Sequence, residues 1–135
     1  MKDSILISLP LKSDYISVAR LTASVIANKI GFDIEDIEDI KVAIGEACNN
    51  AVLHANDNEE FDIKFSISEN TFEAEIIDKG KGFEYNNYEI PDLENPKEHG
   101  LGIFIMKSLM DHVEVNSIKN IGTSIKLTKN LIKVQ

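Results

Sequence analysis

The sequence predicts an α/β (α+β) two-layer sandwich: a mixed, largely antiparallel sheet covered on one face by helices. Three observations lead there. Two stretches, 13–31 and 33–55, repeat apolar residues at spacings of three and four, the period of a helix with one buried stripe. Several shorter stretches alternate apolar and polar residues, the period of a strand with one covered face. Their order is strand, helix, helix, strand, strand, an aperiodic segment, helix, strand, strand, which suits helices packed on one sheet. A length of 135 residues fits a single domain, 1–135, and is enough for a two-layer core.

Each element has its own signal. Ser4 to Leu9 reads as a first strand, stopped by Pro10. Ser13 or Asp14 can cap the helix that follows, whose stripe is Ile16, Ala19, Ala23, Ile26, Ala27 and Ile30, with Gly31 as its stop. Asp33 is a natural N-cap for a second helix, with Glu35 and Asp36 in its first turn and a stripe from Ile34 to about Ala55. Phe61, Ile63, Phe65 and Ile67 form one strand, and Phe72, Ala74 and Ile76 the next, with Glu69-Asn70 turning between them. From Lys79 to about Glu98 the periodicity vanishes, and a segment this long without structure is commonly a functional lid. A third helix runs from about Gly102 to Asp111. Val113 and Val115 begin a strand, and Thr123, Ile125 and Leu127 form its partner.

Composition narrows the function. Asp and Glu number 23 against 14 Lys and Arg, a formal net charge of -9, and Arg20 is the only arginine. Phosphate-backbone binding needs clustered cations, so the balance speaks against nucleic acid. Cys48 is the only cysteine, which excludes an intramolecular disulfide and a cysteine-built metal site. No apolar run approaches the ~20 residues of a membrane span, and no secretory signal opens the chain. A reduced, cytoplasmic setting is expected.

Four local features go beyond a scaffold. Glu46, Asn50 and His54 are spaced four apart along one edge of the second helix, where a carboxylate and an amide can accept a proton and hold a hard cation such as Mg²⁺. Asp78 shares the parity of Phe72, Ala74 and Ile76, so its carboxylate should face the covered side and require a donor. Asp78-Lys79-Gly80-Lys81-Gly82 places alternate glycines directly after a strand, where backbone can approach a ligand. Gly100-Leu101-Gly102 stands at a helix start, whose free N–H groups suit an anion. Taken singly, each has a plain structural reading: a polar helix edge, a frayed strand end, a flexible turn, a hinge. Their order and spacing together do not.

In that order, the features resemble the Bergerat-fold (GHKL) ATPases, the group shared by DNA gyrase, histidine kinases and MutL. Glu46-Ala47-Cys48-Asn49-Asn50-Ala51-Val52-Leu53-His54-Ala55 looks like the asparagine box, and Asp78-Lys79-Gly80-Lys81-Gly82-Phe83 like the first glycine box. Gly100-Leu101-Gly102 and Gly122-Thr123-Ser124 resemble the second and third. Within the group, Glu38 to Cys48 and Gly100 to Met106 with Leu109-Met110-Asp111 are most similar to the anti-sigma factors that are also serine-protein kinases, the RsbW and SpoIIAB type, leaning toward RsbW.

The resemblance implies roles. Glu46 would be the general base, Asn50 the Mg²⁺ ligand, and Asp78 the acceptor for the adenine amino group of ATP. Gly80 and Gly82 would flank base and sugar. Gly100, Leu101 and Gly102 would meet the phosphates, Thr123 would help hold adenine, and Arg20 would contact protein partners. It further implies a homodimer that sequesters a sigma factor and phosphorylates a serine on a STAS-type anti-anti-sigma protein, with an ATP lid at about 79–98. His54 reads as structural and Cys48 as a small buried side chain. The sequence departs from the pattern at Asn49, where the subfamily often has Thr, and at His99. No arginine stands in the lid, leaving Lys81 or Lys97 as point charges or as solvated residues. Three other readings compete: a partner-switching module of the same fold with little turnover, a histidine-kinase catalytic domain, and a structural protein without nucleotide.

Overall fold

The computed structural model describes residues 2–53, 60–82 and 100–132. Five strands and three helices follow one another: β1 (Asp3–Pro10), α1 (Ile16–Ile30), α2 (Ile34–Leu53), β2 (Glu60–Ile67), β3 (Thr71–Asp78), α3 (Gly100–Leu109), β4 (His112–Ile118) and β5 (Gly122–Asn130). The sheet order is β1-β2-β3-β5-β4. It is the expected two-layer sandwich. All four pairings are antiparallel, so no parallel pair makes the sheet mixed. The reason is the place of β5: β3 and β4 run in the same direction, but β5 lies between them and pairs with both.

Alternation decides which face is covered. Phe61, Ile63 and Phe65 of β2, Phe72, Ala74 and Ile76 of β3, and Ile125 and Leu127 of β5 are all buried. The opposite parity carries Asp62, Lys64, Glu73, Glu75, Ser124 and Lys126, and there Glu73 bridges Lys126 at 3.4 Å and Lys2 at 3.8 Å. Cross-strand order places Phe65 diagonal to Phe72, with ring centroids 6.0 Å apart.

The helices cover the apolar face with small side chains where they meet. Ala19, Ala23 and Ala27 of α1 and Ala43, Ala47 and Ala51 of α2 are buried, and α1 and α2 pack along each other. Short side chains allow close helix axes, and the larger Ile26, Ile40, Ile44 and Met106 fill the space above the sheet. Burying a side chain of this size contributes roughly 1.5–3 kcal/mol relative to exposure, so the contact between helices and sheet is a main source of stability.

Two helix starts differ from expectation. The chain from Ser13 to Tyr15 forms a single 3-10 turn, and α1 begins at Ile16, so the cap positions fall to Lys12 and Tyr15 in place of Ser13 or Asp14, and neither makes a side-chain cap bond. The tight turn supplies the entry geometry instead. α3 begins at Gly100, two residues early, so Gly100, Leu101 and Gly102 form its first turn. Gly31 closes α1 as expected, donating its N–H to Ala27 and Asn28 carbonyls. Ala55 and the expected lid beyond Gly82 lie outside the described residues.

Asp33 caps α2 as its position predicts, accepting the Asp36 N–H on Oδ1 at 2.8 Å. Asp33→Ala leaves that helix-end donor without its side-chain partner. It should lower unfolding free energy by about 1 kcal/mol, read as a lower urea midpoint at unchanged slope.

Candidate nucleotide site

Topology gathers one end of the sandwich. α3 leads from Gly100 to Leu109, and β4 returns from His112 to Ile118, so the start of α3 and the end of β4 lie at the same end. Ser117 at that end of β4 pairs with Thr123 at the start of β5, and Thr123 pairs with Asp78 at the end of β3. β2 begins beside β3's last residues, with Asp62 opposite Ile77, and follows the C-terminal end of α2 after six intervening residues. The C-terminal half of α2, the start of α3 and the Asp78–Thr123–Ser117 row therefore share one end.

Asp78 faces the covered side, as its parity requires, and is only 5% exposed. A carboxylate there must be compensated. One part of the compensation is local: Oδ1 accepts the Gly80 N–H at 2.8 Å, within the glycine-bearing segment that leaves β3. Thr123, directly opposite, is 4% exposed, and its hydroxyl is 2.7 Å from that of Ser117. Ser117 escaped the sequence reading. The signal was present, since Ser117 shares the covered parity of Val113 and Val115 in β4.

Two glycines allow backbones to meet at this end. Gly82 has φ 64, and a Cβ on it would lie 2.2 Å from the Ile118 carbonyl oxygen. Gly122 has φ 148, and its Cβ would lie 2.3 Å from the Asp78 carbonyl oxygen. The Asn120 N–H donates to the Lys81 carbonyl across the same gap. The segment leaving β3 is thus clamped to the β4–β5 turn. This gives Gly82 a role besides flanking a ligand: it admits the neighbouring turn.

On the helical side, Glu46 and Asn50 lie one turn apart on α2. Glu46 is half-buried, and a Cβ on Gly102 would stand 3.1 Å from its Oε2, so the carboxylate rests against the first turn of α3. That turn offers free backbone N–H groups and the positive end of the helix dipole. Asn50 is 7% exposed, and its Oδ1 has no hydrogen-bond partner among the described residues. An unpaired buried amide oxygen calls for a donor or a cation. Its hard-oxygen character fits Mg²⁺, which takes few protein oxygens alongside water and substrate phosphate. Among the described residues, no three His, Cys, Asp or Glu side chains cluster, so a cation here would depend on such shared ligation.

Gly100, Leu101 and Gly102 are all in the first turn of α3, with Leu101 partly exposed. Arg20 lies on the side of α1 that meets α2: its Cδ comes 3.4 Å from where a Cβ on Gly45 would be, so its stem crosses α2 one residue from Glu46. Cys48 is fully buried, and burial pushes its thiol up to about 12, in keeping with an inert packing role. His54, Phe83, Lys97 and His99 lie outside the described residues.

Residues 9–129 match the model of the histidine kinase-like ATPase domain. The chain is 36% identical to the serine-protein kinase RsbW of Bacillus thuringiensis (strain Al Hakam), over 98% of its length and 88% of the relative's. The chain belongs to the histidine kinase-like ATPase family, in its RsbW serine-protein kinase branch. RsbW of Bacillus velezensis is also 36% identical, over 96% of the chain and 86% of that protein. Among solved structures, the RsbU and RsbW domains of Rv1364c from Mycobacterium tuberculosis superpose with a TM-score of 0.71 at 21% identity, over 96% of this chain and 32% of that one. A histidine kinase domain from Erythrobacter litoralis superposes with a TM-score of 0.56 at 20% identity, over 90% and 61%. These two likenesses concern the fold.

Gly122→Ala tests the clamp. Positive φ and the Asp78 carbonyl both oppose a side chain there, so the variant should lose at least about 1–3 kcal/mol of stability. Calorimetry should show the lower midpoint, and added ATP should raise it less than in the parent protein.

Proposed function

We propose that this chain is a Mg-ATP-dependent serine-protein kinase and anti-sigma factor, built as a single ATPase domain over 1–135. It sequesters an RNA polymerase sigma factor and phosphorylates a serine on a STAS-type anti-anti-sigma protein. The observation that carries the nucleotide reading is the buried Asn50 Oδ1, a hard acceptor without a partner among the described residues, one turn from Glu46. The kinase names of relatives with matching length support the same chemistry.

In this reading Asp78 accepts from the adenine amino group and Thr123 lies beside the base. Gly80 and Gly82 lead the chain past base and sugar. The first turn of α3, Gly100 to Gly102, presents N–H groups to the phosphates. A Mg²⁺ held through Asn50 supplies charge neutralisation at the phosphates. Glu46 takes the proton from the acceptor serine hydroxyl as its oxygen bonds to the γ-phosphorus; the bond from that phosphorus to the bridging oxygen breaks, and ADP leaves. Holding Glu46 against α3 keeps base and phosphate-binding turn in fixed relation, the positioning on which phosphoryl transfer depends.

Partner recognition fits the outer surface. The Arg20 stem lies over Gly45 of α2, next in sequence to Glu46, and in this reading its guanidinium meets the protein partners. The opposite flank of α1 exposes Val18, Leu21 and Val25, and β1 is an edge strand, which supports a homodimer. No described helix is long and apolar enough to cross a membrane. A cytoplasmic location follows from the sigma-factor role.

Two experiments test the proposal. Asp78→Asn should weaken Mg-ATP binding at least tenfold by calorimetric titration, whereas Glu46→Gln should bind nucleotide normally yet transfer no labelled phosphate to the antagonist. Parental ATP affinity in the first, or parental transfer in the second, would remove the assigned role. Separately, Arg20→Ala should reduce co-purification with both protein partners at unchanged ATP affinity; undiminished capture would return Arg20 to an ordinary surface residue.

A further inference from the structure

We propose that Gly45 is a positioning residue for partner recognition: the gap it leaves in α2 seats the Arg20 stem, and so restricts where the guanidinium points before any partner arrives. The inference rests on the partner reading of Arg20 and deepens it by naming what holds that side chain.

Gly45 stands in the interior of α2, far from either end of Ile34–Leu53, and it is buried. Glycine is a poor helix residue there, because it leaves the unfolded chain more backbone freedom to lose. Its own conformation gives no reason for it: Gly31, Gly82 and Gly122 have positive φ, and Gly45 does not. Its surroundings do give one. A Cβ at this position would have Arg20 Cδ at 3.4 Å, Nε at 3.8 Å and Cγ at 3.9 Å, the nearest atoms from elsewhere among the described residues. These are ordinary contact distances, so the seat has room for a methyl group. A branched or longer side chain would extend from that point into the stem.

Arg20 is exposed as a whole, yet its stem from Cγ to Nε lies along α2. A long cationic side chain commonly lays its methylenes on the protein while its head stays in water. Without a seat it would spread over many rotamers, and a partner would have to order it at the expense of affinity. The seat moves that ordering to the folding step. Nε is the first atom of the planar guanidinium, so holding it over Gly45 narrows the directions in which the donors can point. A partner therefore reads α1 and α2 together: the charge comes from one helix and its orientation from the other.

Arg20 is the chain's only arginine, so its Nε–H gives a single arginine side-chain signal in nuclear magnetic resonance of the full chain. The heteronuclear NOE of that signal should approach the backbone value in the parent protein and in Gly45→Ala. In Gly45→Val, whose two γ-carbons meet the stem, it should fall toward that of a mobile side chain. Gly45→Ala should also raise the thermal midpoint by about 2–5 °C. With the STAS-type protein as phosphate acceptor, Gly45→Val should raise the acceptor's KM roughly three- to tenfold at parental ATP affinity. On an Arg20→Ala background the same substitution should change that KM no further. A mobile Nε in the parent protein overturns the proposal without any variant. So does a parental acceptor KM in Gly45→Val, or an equal loss of ATP binding, which marks general damage. Should Gly45→Val not fold, Gly45→Leu, a better helix former that still reaches the stem, takes its place. Arg20→Ala separates the two levels: if it leaves the acceptor KM unchanged, the partner reading of Arg20 itself fails. If it raises that KM while Gly45→Val does not, only the present inference fails.

Discussion

The site end of this molecule depends on β5 lying between β3 and β4, with Thr123 opposite Asp78. Side chains alternate faces along a strand, so slipping this register by one residue would send Asp78's partner to the open face and bring Ser124 to the covered one. The covered parity of Phe72, Ala74 and Ile76 against Ile125 and Leu127 opposes such a slip, because it would expose the core. The same hydrophobic pattern that stabilises the sheet therefore places a carboxylate and two hydroxyls in one row. The clamp at Gly82 and Gly122 completes the constraint, since it brings the segment leaving β3 within backbone contact of the β4–β5 turn. Core packing and site geometry are consequences of one register.

Much of this was legible from residue patterns because the patterns are local. Period-two alternation from Phe61 to Ile67 and from Phe72 to Ile76 located β2 and β3 to within two residues, and Asp33 and Gly31 marked helix ends that the structure uses. Asp78 could be placed on the covered face by parity alone. Other features required knowledge of what lies across space. The strand order that puts β5 between β3 and β4 is a long-range choice, and no residue of β4 or β5 announces it. The start of α1 was misjudged because Ser13 and Asp14 are good caps in isolation, whereas a 3-10 turn occupies them. Ser117 was overlooked because a lone serine in a short strand carries meaning only once its neighbour is known to be Thr123. Gly82 reads from sequence as a place where backbone approaches a ligand and Gly122 as part of a glycine box, and the structure adds a reason from within the chain: two backbones pass too closely for a Cβ.

The net charge of -9 poses a problem for any site that binds a polyanion. Net charge acts over distances that salt screens within about 8–10 Å, while the site works at contact range. There the first turn of α3 contributes oriented N–H groups, and in the proposed reading Asn50 would contribute an amide oxygen for a cation. Neither requires a basic surface. The arrangement differs from a lysine-lined phosphate pocket in one respect: its positive potential belongs to the backbone and cannot be rearranged by side-chain motion. Glu46 beside Gly102 shares that potential. A carboxylate and a phosphate both favoured by one helix start must still repel each other, so a bound cation between the phosphate and α2 would relieve a conflict that the protein alone leaves in place.

In the proposed reading, Arg20 would let the two activities share one surface. Its stem crosses α2 over Gly45, a residue without a side chain, and the adjacent residue is Glu46. A protein that approaches this charge for binding alone, or one that offers a serine for transfer, would meet the same corner of α1 and α2. A sigma factor bound there would physically cover the approach to Glu46, and an antagonist seated there would occupy the place that the sigma factor needs. Exclusion then requires no conformational signal, only overlap. Phosphorylation changes the balance by adding negative charge to the antagonist close to the Glu46 carboxylate, where like charges oppose each other. In the proposed reading the reaction would weaken the complex that made it possible, because Glu46, as the base, would remain next to the phosphate it had helped to form.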